Sequence, residues 1–309
     1  MIKAKVICLT PIKNEAWILD KFLSAASLWA DHIIVADQMS DDGSRDIALK
    51  YDKVILIDNN SKEFNEPERQ KLLIDAARKI PGKKLLFALD ADEFVSGNAV
   101  SSNEWQSMLS ADIGTVFKFK WPFIASDFKK YWSGDTPNMP FAFMDDGSDH
   151  NGSKIHSTRV PFPEHSQVVE IFNFVVMHYQ FTDWKRMESK HRWYQCFERI
   201  QFPDKSVVEI FRRYNHMYQI NEKDKHEIPF DWFESYLSAG LAISSITVSD
   251  SYYWDNEVVR FKKQHGELLF KDIDLAGNNS PLLSYLRVTR SFKYSFFERA
   301  IVKILKVLK

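Results

Sequence analysis

Residues 85–94 read LLFALDADEF. Five apolar residues are followed there by three carboxylates, Asp90, Asp92 and Glu93, within four positions. The apolar run is too short for an isolated helix and follows the turn dipeptide Pro81-Gly82, so it predicts a buried strand. Ligands of open α/β sheets bind beyond the carboxyl ends of the strands, which is where Asp90 and Asp92 are expected.

The pair Asp90 and Asp92 suits a particular ligand chemistry. Mg²⁺ and Mn²⁺ take hard oxygen ligands, commonly one or two carboxylates together with substrate phosphates. An Asp-x-Asp pair at the end of a buried strand therefore favours a divalent cation, Mn²⁺ or Mg²⁺, that carries a diphosphate. A solvated acidic turn is the alternative, and the pair alone leaves both open.

Length and composition limit the class of protein. The chain has 309 residues, of which 45% are hydrophobic, enough for one large or two modest domains. A net charge of −1 provides no basic field for nucleic acid. Its two cysteines do not make a disulfide framework, which fits a reducing compartment. With no signal-peptide pattern and no run long enough to span a membrane, we expect a cytoplasmic protein.

Strand and helix patterns alternate along the N-terminal third. Short apolar or β-branched runs predict strands at 6–9, 32–36, 54–57 and 85–89. Helical spacing and capping residues predict helices that begin at residue 14 or 15, near 45 and at 65. This order predicts an α/β fold with a doubly wound, mostly parallel sheet flanked by helices.

Three of the predicted strands end in aspartate, at Asp37, Asp58 and Asp90. Crossovers of one hand gather the carboxyl ends of parallel strands along one edge of the sheet. Turn formation accounts for Asp58, whereas Asp37 and Asp90 favour a ligand. Neither a Gly-x-Gly-x-x-Gly loop nor a Walker loop is present, so a nucleotide would be held through side chains and a metal.

Four short motifs occur in order: TPIKNE at 10–15, ADQMSDDGS at 36–44, ERQ at 68–70 and DADE at 90–93. With the β/α alternation, they resemble the family-2 glycosyltransferases with the GT-A fold. The resemblance covers residues 4–125. Within that family the chain is most similar to bacterial transferases that build lipopolysaccharide or capsular polysaccharide.

The resemblance implies roles for individual residues. The residues that would contact the nucleotide are Thr10, Pro11, Asn14, Glu15, Asp37, Gln38, Arg69 and Asp90. Asp90 and Asp92 would form the metal-binding pair. His178, at the end of another strand-like run, resembles a late histidine of the family that completes the metal site or touches the diphosphate; a satisfied polar residue is the alternative. Gln38 departs from the family, in which a second aspartate or a small residue is common.

The resemblance also implies an inverting transfer from a nucleotide-diphosphate sugar to a glycan or lipid-linked acceptor. A carboxylate would deprotonate the acceptor hydroxyl as the sugar passes through an oxocarbenium-like transition state. Relatives often place a His-Glu pair near this region, where this chain has His156-Ser157. Asp149 and Glu164 are the preferred candidates for the base, ahead of Asp145 and Asp146.

The remaining sequence predicts the domain plan. Residues 1–225 are expected to form the transferase domain, with a nucleotide-sugar half at 1–125 and an acceptor-side half at 126–225. Residues 129–163 are rich in turn-forming residues and predict a long loop, whose aromatic side chains bind the acceptor or pin the loop to the core. Residues 226–309 are expected to form a helical extension.

The last part of this extension, 296–309, is a basic amphipathic helix by its spacing. Such a helix lies in a membrane interface or packs on the domain or on a second subunit. A helix in the membrane interface predicts peripheral contact with the inner face of the cytoplasmic membrane. A helix packed on a second subunit would make the protein a homo-oligomer.

Two other classes of protein also stay open. A nucleotidyltransferase likewise uses acidic strand ends and Mg²⁺, but it usually has a glycine- and basic-rich loop after the first strand, and TPIKNE lacks the glycines. A non-catalytic nucleotide- or carbohydrate-binding protein would bind the ligand without turnover.

Overall fold

The computed structural model describes residues 3–134, 137–271 and 273. The described chain forms two compact units. The first comprises residues up to 182 and 226–248; the second comprises 183–225 and the described residues from 249 on. The chain thus returns to the first unit after residue 225, where the sequence predicts a domain end. The predicted helix at 296–309 lies outside the described residues.

The first unit contains the strands and the helices around them. Its strands are β1 (Lys5–Ile12), β2 (His32–Asp37), β3 (Val54–Asp58), β4 (Lys84–Ala88), β5 (Glu93–Val95), β6 (Val116–Phe119), β7 (Phe123–Ile124), β8 (Lys130–Trp132), β9 (Met139–Met144), β10 (Val168–Ile171), β11 (Val176–His178) and β12 (His226–Glu227). Its helices are α1 (Leu19–Ala26), α2 (Ser44–Ala48), α3 (Glu66–Arg78), α4 (Asn103–Ser110) and α7 (Asp231–Ser238).

The second unit is helical within the described residues. Its helices are α5 (Trp184–Gln201), α6 (Val207–Asn215) and α8 (Tyr253–His265), with 3₁₀ turns at His216–Gln219, Glu222–Asp224 and Glu267–Phe270. In the described part of the chain, no helix is long and apolar enough to cross a membrane.

The main sheet has seven strands in the order β10-β6-β9-β4-β1-β2-β3. β3, β2, β1 and β4 are parallel, and β10 is parallel to β6. Only β9 among these strands runs in the opposite direction, since it is antiparallel to both β4 and β6. The predicted α/β fold with a mostly parallel sheet flanked by helices is therefore confirmed.

β9 corrects the long loop expected over residues 129–163. Its side chains Phe141 and Phe143 are fully buried in the core rather than presented to an acceptor. Pro140 argues against a central strand because it cannot donate a ladder hydrogen bond. The structure accommodates it at an irregularity, where the register of β9 against β6 shifts between Phe117 and Lys118.

β1 and the helix after it differ from the prediction at their ends. β1 does not stop before Pro11 but continues to Ile12. Its pairing with β4 ends at Leu9, so only β2 lies beside its last residues, and a proline without an N–H is tolerated there. α1 begins at Leu19 rather than at residue 14 or 15. Asn14 has φ of 57°, outside the right-handed helical region, and Ile18, directly before the helix, has φ of −137°.

Alternate side chains of the central strands pack on opposite faces of the sheet. Cys8 of β1 lies in the core with α1, whereas Leu9 lies in the core with α3. Because both faces are covered, the strands read as continuous apolar runs. The carboxyl ends of β1, β2 and β4 are consequently fixed by two layers of packing.

A second sheet has the order β12-β8-β7-β11-β5. β5 begins at Glu93, immediately after Asp92, and pairs antiparallel with β11, in which His178 lies opposite Glu93. The turn at residues 90–92 therefore passes from the main sheet into the second sheet.

Candidate functional site

The carboxyl edge of the main sheet brings several predicted residues together. β1 lies between β2 and β4, so Asp37 and Asp90 lie on either side of it. Two strand spacings separate them by about 10 Å. Thr10 of β1 lies between them and is fully buried; within the described residues its hydroxyl has no hydrogen-bond partner. The strand order thus gathers these residues as the sequence predicts.

Asp37 is buried at the end of β2 and bound to Arg45. Arg45 Nη1 lies 3.2 Å from Asp37 Oδ2 and 2.7 Å from Asp58 Oδ1. Hydrogen bonds to Asp58 and Asp37 raise the pKa of Arg45. The Ser40 amide also donates to Asp37 Oδ1, at 3.2 Å. Arg45 therefore holds the ends of β2 and β3 together and orients the Asp37 carboxylate.

Asn14 and Glu15 join the loop after β1 to the loop after β2. The side chain of Asn14 donates to Asp41 Oδ1 at 2.8 Å, and its oxygen accepts from the Asp41 amide at 2.9 Å. The amides of Asn14 and Glu15 donate to the hydroxyls of Ser40 and Ser44, at 2.9 and 2.8 Å. These contacts define the shape of the edge beside Thr10 and Pro11.

Gln38 is buried and holds the segment after β3. Its amide nitrogen donates to the carbonyl oxygens of Ser61 and Glu63, at 2.8 and 3.0 Å. An aspartate has no N–H to donate, which gives a physical reason for glutamine at this position. The same segment places the ring of Phe64 5.0 Å from the Arg69 guanidinium.

The Asp90 carboxylate lies between two guanidinium groups, Arg69 and Arg159, which we call the guanidinium pair. Arg159 Nη1 lies 2.9 Å from Asp90 Oδ2, and Arg69 Nη2 lies 3.8 Å from Oδ1. Arg159 Nη2 also lies 2.7 Å from Glu93 Oε1. The Asp90 side chain is 27% exposed, whereas that of Glu93 is 0% exposed.

Glu93 is the buried anchor of this arrangement. Its second oxygen accepts from the Asp90 amide at 2.8 Å, so it fixes the start of the turn. Burial raises the pKa of the Glu93 carboxyl to about 8, and the charge of Arg159 opposes that rise. The Arg159 guanidinium also lies 5.4 Å from the ring of Phe141 and 5.8 Å from that of Trp121.

Arg159 is a site residue that the sequence does not indicate. It lies 66 positions from Glu93, inside the segment expected to be a loop. That segment is fixed to the start of α3, where the Ser157 amide donates to Glu66 Oε2 at 2.7 Å and the Glu66 amide donates to the Lys154 carbonyl at 3.2 Å. The sequence offers one indication that this arginine is buried: it stands next to Val160, an apolar residue in a polar stretch.

Asp92 and His178 are brought together, as the sequence predicts. Asp92 Oδ1 lies 3.6 Å from His178 Nε2, and both side chains are buried. The His178 ring stacks on that of Trp121, with centroids 4.6 Å apart and planes 10° apart. The pairing of β5 with β11 produces this contact.

The predicted three-residue metal site is not assembled. Among the described residues, no group of three or more histidine, cysteine, aspartate or glutamate side chains is arranged to hold a metal ion. Asp92 and His178 meet, but both oxygens of Asp90 face guanidinium groups. A cation that took Asp90 would draw Arg159 away from the fully buried Glu93. These residues therefore do not fit a divalent cation held by Asp90, Asp92 and His178 together.

The preferred base candidate Asp149 lies at the other edge of the sheet. Asp145 follows the end of β9, and its amide donates to the Lys84 carbonyl, at the amino end of β4. Arg78 binds the Asp145 carboxylate at 2.8 Å and the Ser148 carbonyl at 2.7 Å, which fixes the chain one residue before Asp149. Asp90 follows the opposite, carboxyl end of β4.

Glu164 is exposed in the segment that leads to β10. β10 begins at Val168, which pairs with Val116, the first residue of β6. Glu164 therefore lies in the stretch between Arg159, which contacts Asp90, and the start of β10. The role of either residue as the base stays a prediction.

Comparison with known proteins gives no assignment from sequence. No family model matches the chain, and no curated protein matches it. Solved structures do match. A 4-diphosphocytidyl-2C-methyl-D-erythritol synthase is 12% identical, with 47% of this chain and 76% of that chain covered and a TM-score of 0.32.

Two further structures are similar to a comparable extent. An inositol-1-phosphate CTP transferase from T. maritima is 8% identical, covering 57% of this chain and 90% of that chain, with a TM-score of 0.32. A nucleoside-diphosphate-sugar pyrophosphorylase from Vibrio cholerae RC9 is 10% identical, covering 47% and 68%, with a TM-score of 0.27. Similarity of this size does not decide between classes of transferase.

Proposed function

We propose that the chain is a glycosyltransferase that takes its sugar from a nucleoside-diphosphate donor bound along the carboxyl edge of the main sheet. One observation carries the proposal: buried Asp37, Thr10 and the Asp90 carboxylate with its guanidinium pair all lie at the carboxyl ends of adjacent strands, in the order β2, β1 and β4. The motifs at 10–15, 36–44, 68–70 and 90–93 support it. A glycan or lipid-linked acceptor completes the proposal.

Asp37 suits the nucleoside part of the donor. Its carboxylate is held in place by Arg45 and by the Ser40 amide, so its oxygens are presented in a fixed direction. Ribose hydroxyls and base N–H groups are donors that a carboxylate accepts. Thr10, whose buried hydroxyl has no hydrogen-bond partner within the described residues, lies between this group and Asp90.

The guanidinium pair suits the diphosphate part. Planar guanidinium groups bind phosphate oxygens through two N–H donors at once. During transfer the bond between the anomeric carbon and the diphosphate oxygen breaks, and its electron pair stays on the diphosphate. The acceptor oxygen forms the new bond to the anomeric carbon and passes its proton to a carboxylate that acts as general base. Fixed positive charge beside the departing diphosphate stabilises that transition state.

A nucleotidyltransferase is the second candidate. The guanidinium pair would equally bind the pyrophosphate that leaves a nucleoside triphosphate. The arrangement of Asp90, Arg69 and Arg159 therefore favours neither reaction over the other. The products distinguish the two candidates. A glycosyltransferase releases a nucleoside diphosphate from a nucleotide sugar, whereas a nucleotidyltransferase releases pyrophosphate from a nucleoside triphosphate.

The testing experiment is a thermal-shift screen with UDP, GDP, CDP and their sugar conjugates, each with Mn²⁺ and with EDTA. A ligand at 100 times its Kd adds about 2.7 kcal/mol to the free energy of unfolding. We expect one nucleotide to stabilise the protein selectively and Asp37→Asn to lose that shift. Asp146→Asn is the matched control, since Asp146 is exposed in the turn after β9.

A selective shift followed by release of nucleoside diphosphate from the matching nucleotide sugar would support the glycosyltransferase. Release of pyrophosphate from the corresponding triphosphate would move the assignment to the second candidate. If no nucleotide shifted the transition under either condition, the carboxyl edge would not be a nucleotide site and the proposal would fail.

A further inference from the structure

The charge around Asp90 is supplied by the chain itself. Arg159 and Arg69 approach the two oxygens of the Asp90 carboxylate from different sides, at 2.9 and 3.8 Å. Together they carry two positive charges, as many as one divalent cation. Both carboxylate oxygens therefore already face cations that belong to the protein.

Arg159 is locked in this position. Its two terminal nitrogens bind two different carboxylates, Asp90 and Glu93. Glu93 is fully buried, so moving the guanidinium away would leave a buried carboxyl oxygen without its hydrogen-bond donor, which is unfavourable. The rings of Phe141 and Trp121 lie against the guanidinium and add attraction to it. A metal ion that needed Asp90 would have to overcome all of these contacts.

Arg69 has unused hydrogen-bonding capacity. It lies 3.8 Å from Asp90 and 3.9 Å from Glu66, distances too long for hydrogen bonds. Its Nε is buried and, within the described residues, has no hydrogen-bond partner. A guanidinium has five N–H donors. The ring of Phe64 lies 5.0 Å from the Arg69 guanidinium and limits its movement. Arg69 is therefore positioned to bind an anion beside Asp90.

We propose that Arg159, together with Arg69, receives the donor's diphosphate, and that nucleotide binding at this edge needs no divalent cation. This inference rests on the proposed function, because it takes the carboxyl edge as the donor site. It assigns to Arg159 a direct contact with phosphate oxygens. Asp90 and Glu93 are then positioning residues that hold the guanidinium in place.

The test measures binding of UDP, GDP, CDP and inorganic pyrophosphate by calorimetry, in EDTA and again in Mn²⁺. For the wild-type protein we expect the nucleotide selected by the screen to bind with Kd values that agree within about threefold between the two conditions. Loss of a charge-assisted hydrogen bond weakens binding by about 10- to 100-fold, which is the change expected for Arg159→Gln. Arg159→Lys should lose part of this affinity, because an ammonium cannot bridge both carboxylates and the phosphate.

Two further variants separate binding from folding. Arg159→Gln leaves Glu93 buried without its partner, so the double variant Glu93→Gln/Arg159→Gln replaces that ionisable group with a neutral amide and should fold more stably while still binding weakly. Arg78→Gln is the matched control. Arg78 is also bound to a carboxylate, that of Asp145 at the amino edge of the sheet, through Nε and Nη2, and its loss should leave nucleotide affinity unchanged.

The outcomes are distinguishable. EDTA-resistant binding that falls in both Arg159 variants but not in Arg78→Gln supports the inference. Binding that requires Mn²⁺, or that survives Arg159→Gln, overturns the inference and leaves the nucleotide site in place. If neither nucleotides nor pyrophosphate bind under any condition, the proposed function fails and this inference fails with it.

Discussion

Replacing Gln38 should loosen one wall of the candidate site without unfolding the protein. Gln38 donates from one amide nitrogen to the carbonyls of Ser61 and Glu63, and these contacts fix the segment that carries Phe64 beneath Arg69. In Gln38→Ala both donors are lost. In Gln38→Asp a carboxylate replaces the amide and can only accept, so it cannot satisfy either carbonyl.

The magnitude follows from the number of contacts. A hydrogen bond contributes about 0.5–1.5 kcal/mol net, so two contribute about 1–3 kcal/mol. At 1.4 kcal/mol for each factor of ten, local opening of this segment becomes about 5- to 150-fold more frequent. Gln38→Asp should lie at the upper end of this range, because it adds repulsion between oxygens to the lost donors.

Hydrogen exchange resolved by residue is the appropriate assay, because it reports on residues 59–64 separately from the second unit. We expect faster exchange there in both variants and a weaker nucleotide affinity through Arg69. Gln106→Ala is the control, since Gln106 contacts only the exposed Lys3 among the described side chains. If exchange at 59–64 changed by less than twofold, or changed equally in the control, the assigned role of Gln38 would be wrong.

Three further predictions concern the core and its titrating groups. Phe143→Ala in β9 should lower the free energy of unfolding, measured by denaturant titration, by about 3–5 kcal/mol, because Phe143 is fully buried. Phe172→Ala, at an exposed position, should change it by less than about 0.5 kcal/mol. Similar values for both variants would contradict the central position of β9 in the sheet. Burial raises the pKa of the Cys8 thiol and raises that of the Cys196 thiol to about 12. A thiol reagent should therefore label neither cysteine until the protein unfolds. Labelling of the folded protein would show that the structure around the labelled cysteine opens to solvent. Burial raises the pKa of Glu93 to about 8, so the folded chain keeps a proton that the unfolded chain releases. The free energy of unfolding should therefore fall as the pH rises toward 8, by up to about 1.4 kcal/mol per pH unit. Glu93→Gln should flatten this dependence on pH, and an unchanged dependence in the variant would show that Glu93 is not its source.

Local patterns predict the parallel half of the fold well. The four predicted strands all form. β1, β2 and β4 are continuous apolar runs typical of strands buried on both faces, whereas β3 is a half-buried strand at the edge of the sheet. α3 begins one residue after Asn65, whose side chain caps it as expected. Asp37 and Asp90 then reach one edge through the strand order alone. His178 lies 3.6 Å from Asp92, and only the resemblance to the family, not strand order, points to this residue.

Contacts across long distances in the chain are what the sequence conceals. Pro140 argues against a strand at β9, and the irregular pairing with β6 that accommodates this proline cannot be read from the sequence. Arg159 has no periodic signal, and its role arises only where the chain meets Asp90 and Glu93. Asn14 looks like a helix start, but its bonds to the Asp41 loop hold it in the left-handed region. The segment that carries the base candidate Asp149 is held by a contact between Arg78 and Ser148, which are 70 positions apart in the chain.

The position of β9 also bears on how the chain is made. β4 pairs on one side with β1, which the ribosome has already released, and on the other with residues that emerge more than fifty positions later. Until residues 139–144 are synthesised, β4 presents an apolar strand edge with unpaired backbone groups, a template for association with other chains. A fragment that ends at residue 125 would carry that edge permanently. The nascent nucleotide half should therefore depend on a chaperone until β9 closes the sheet.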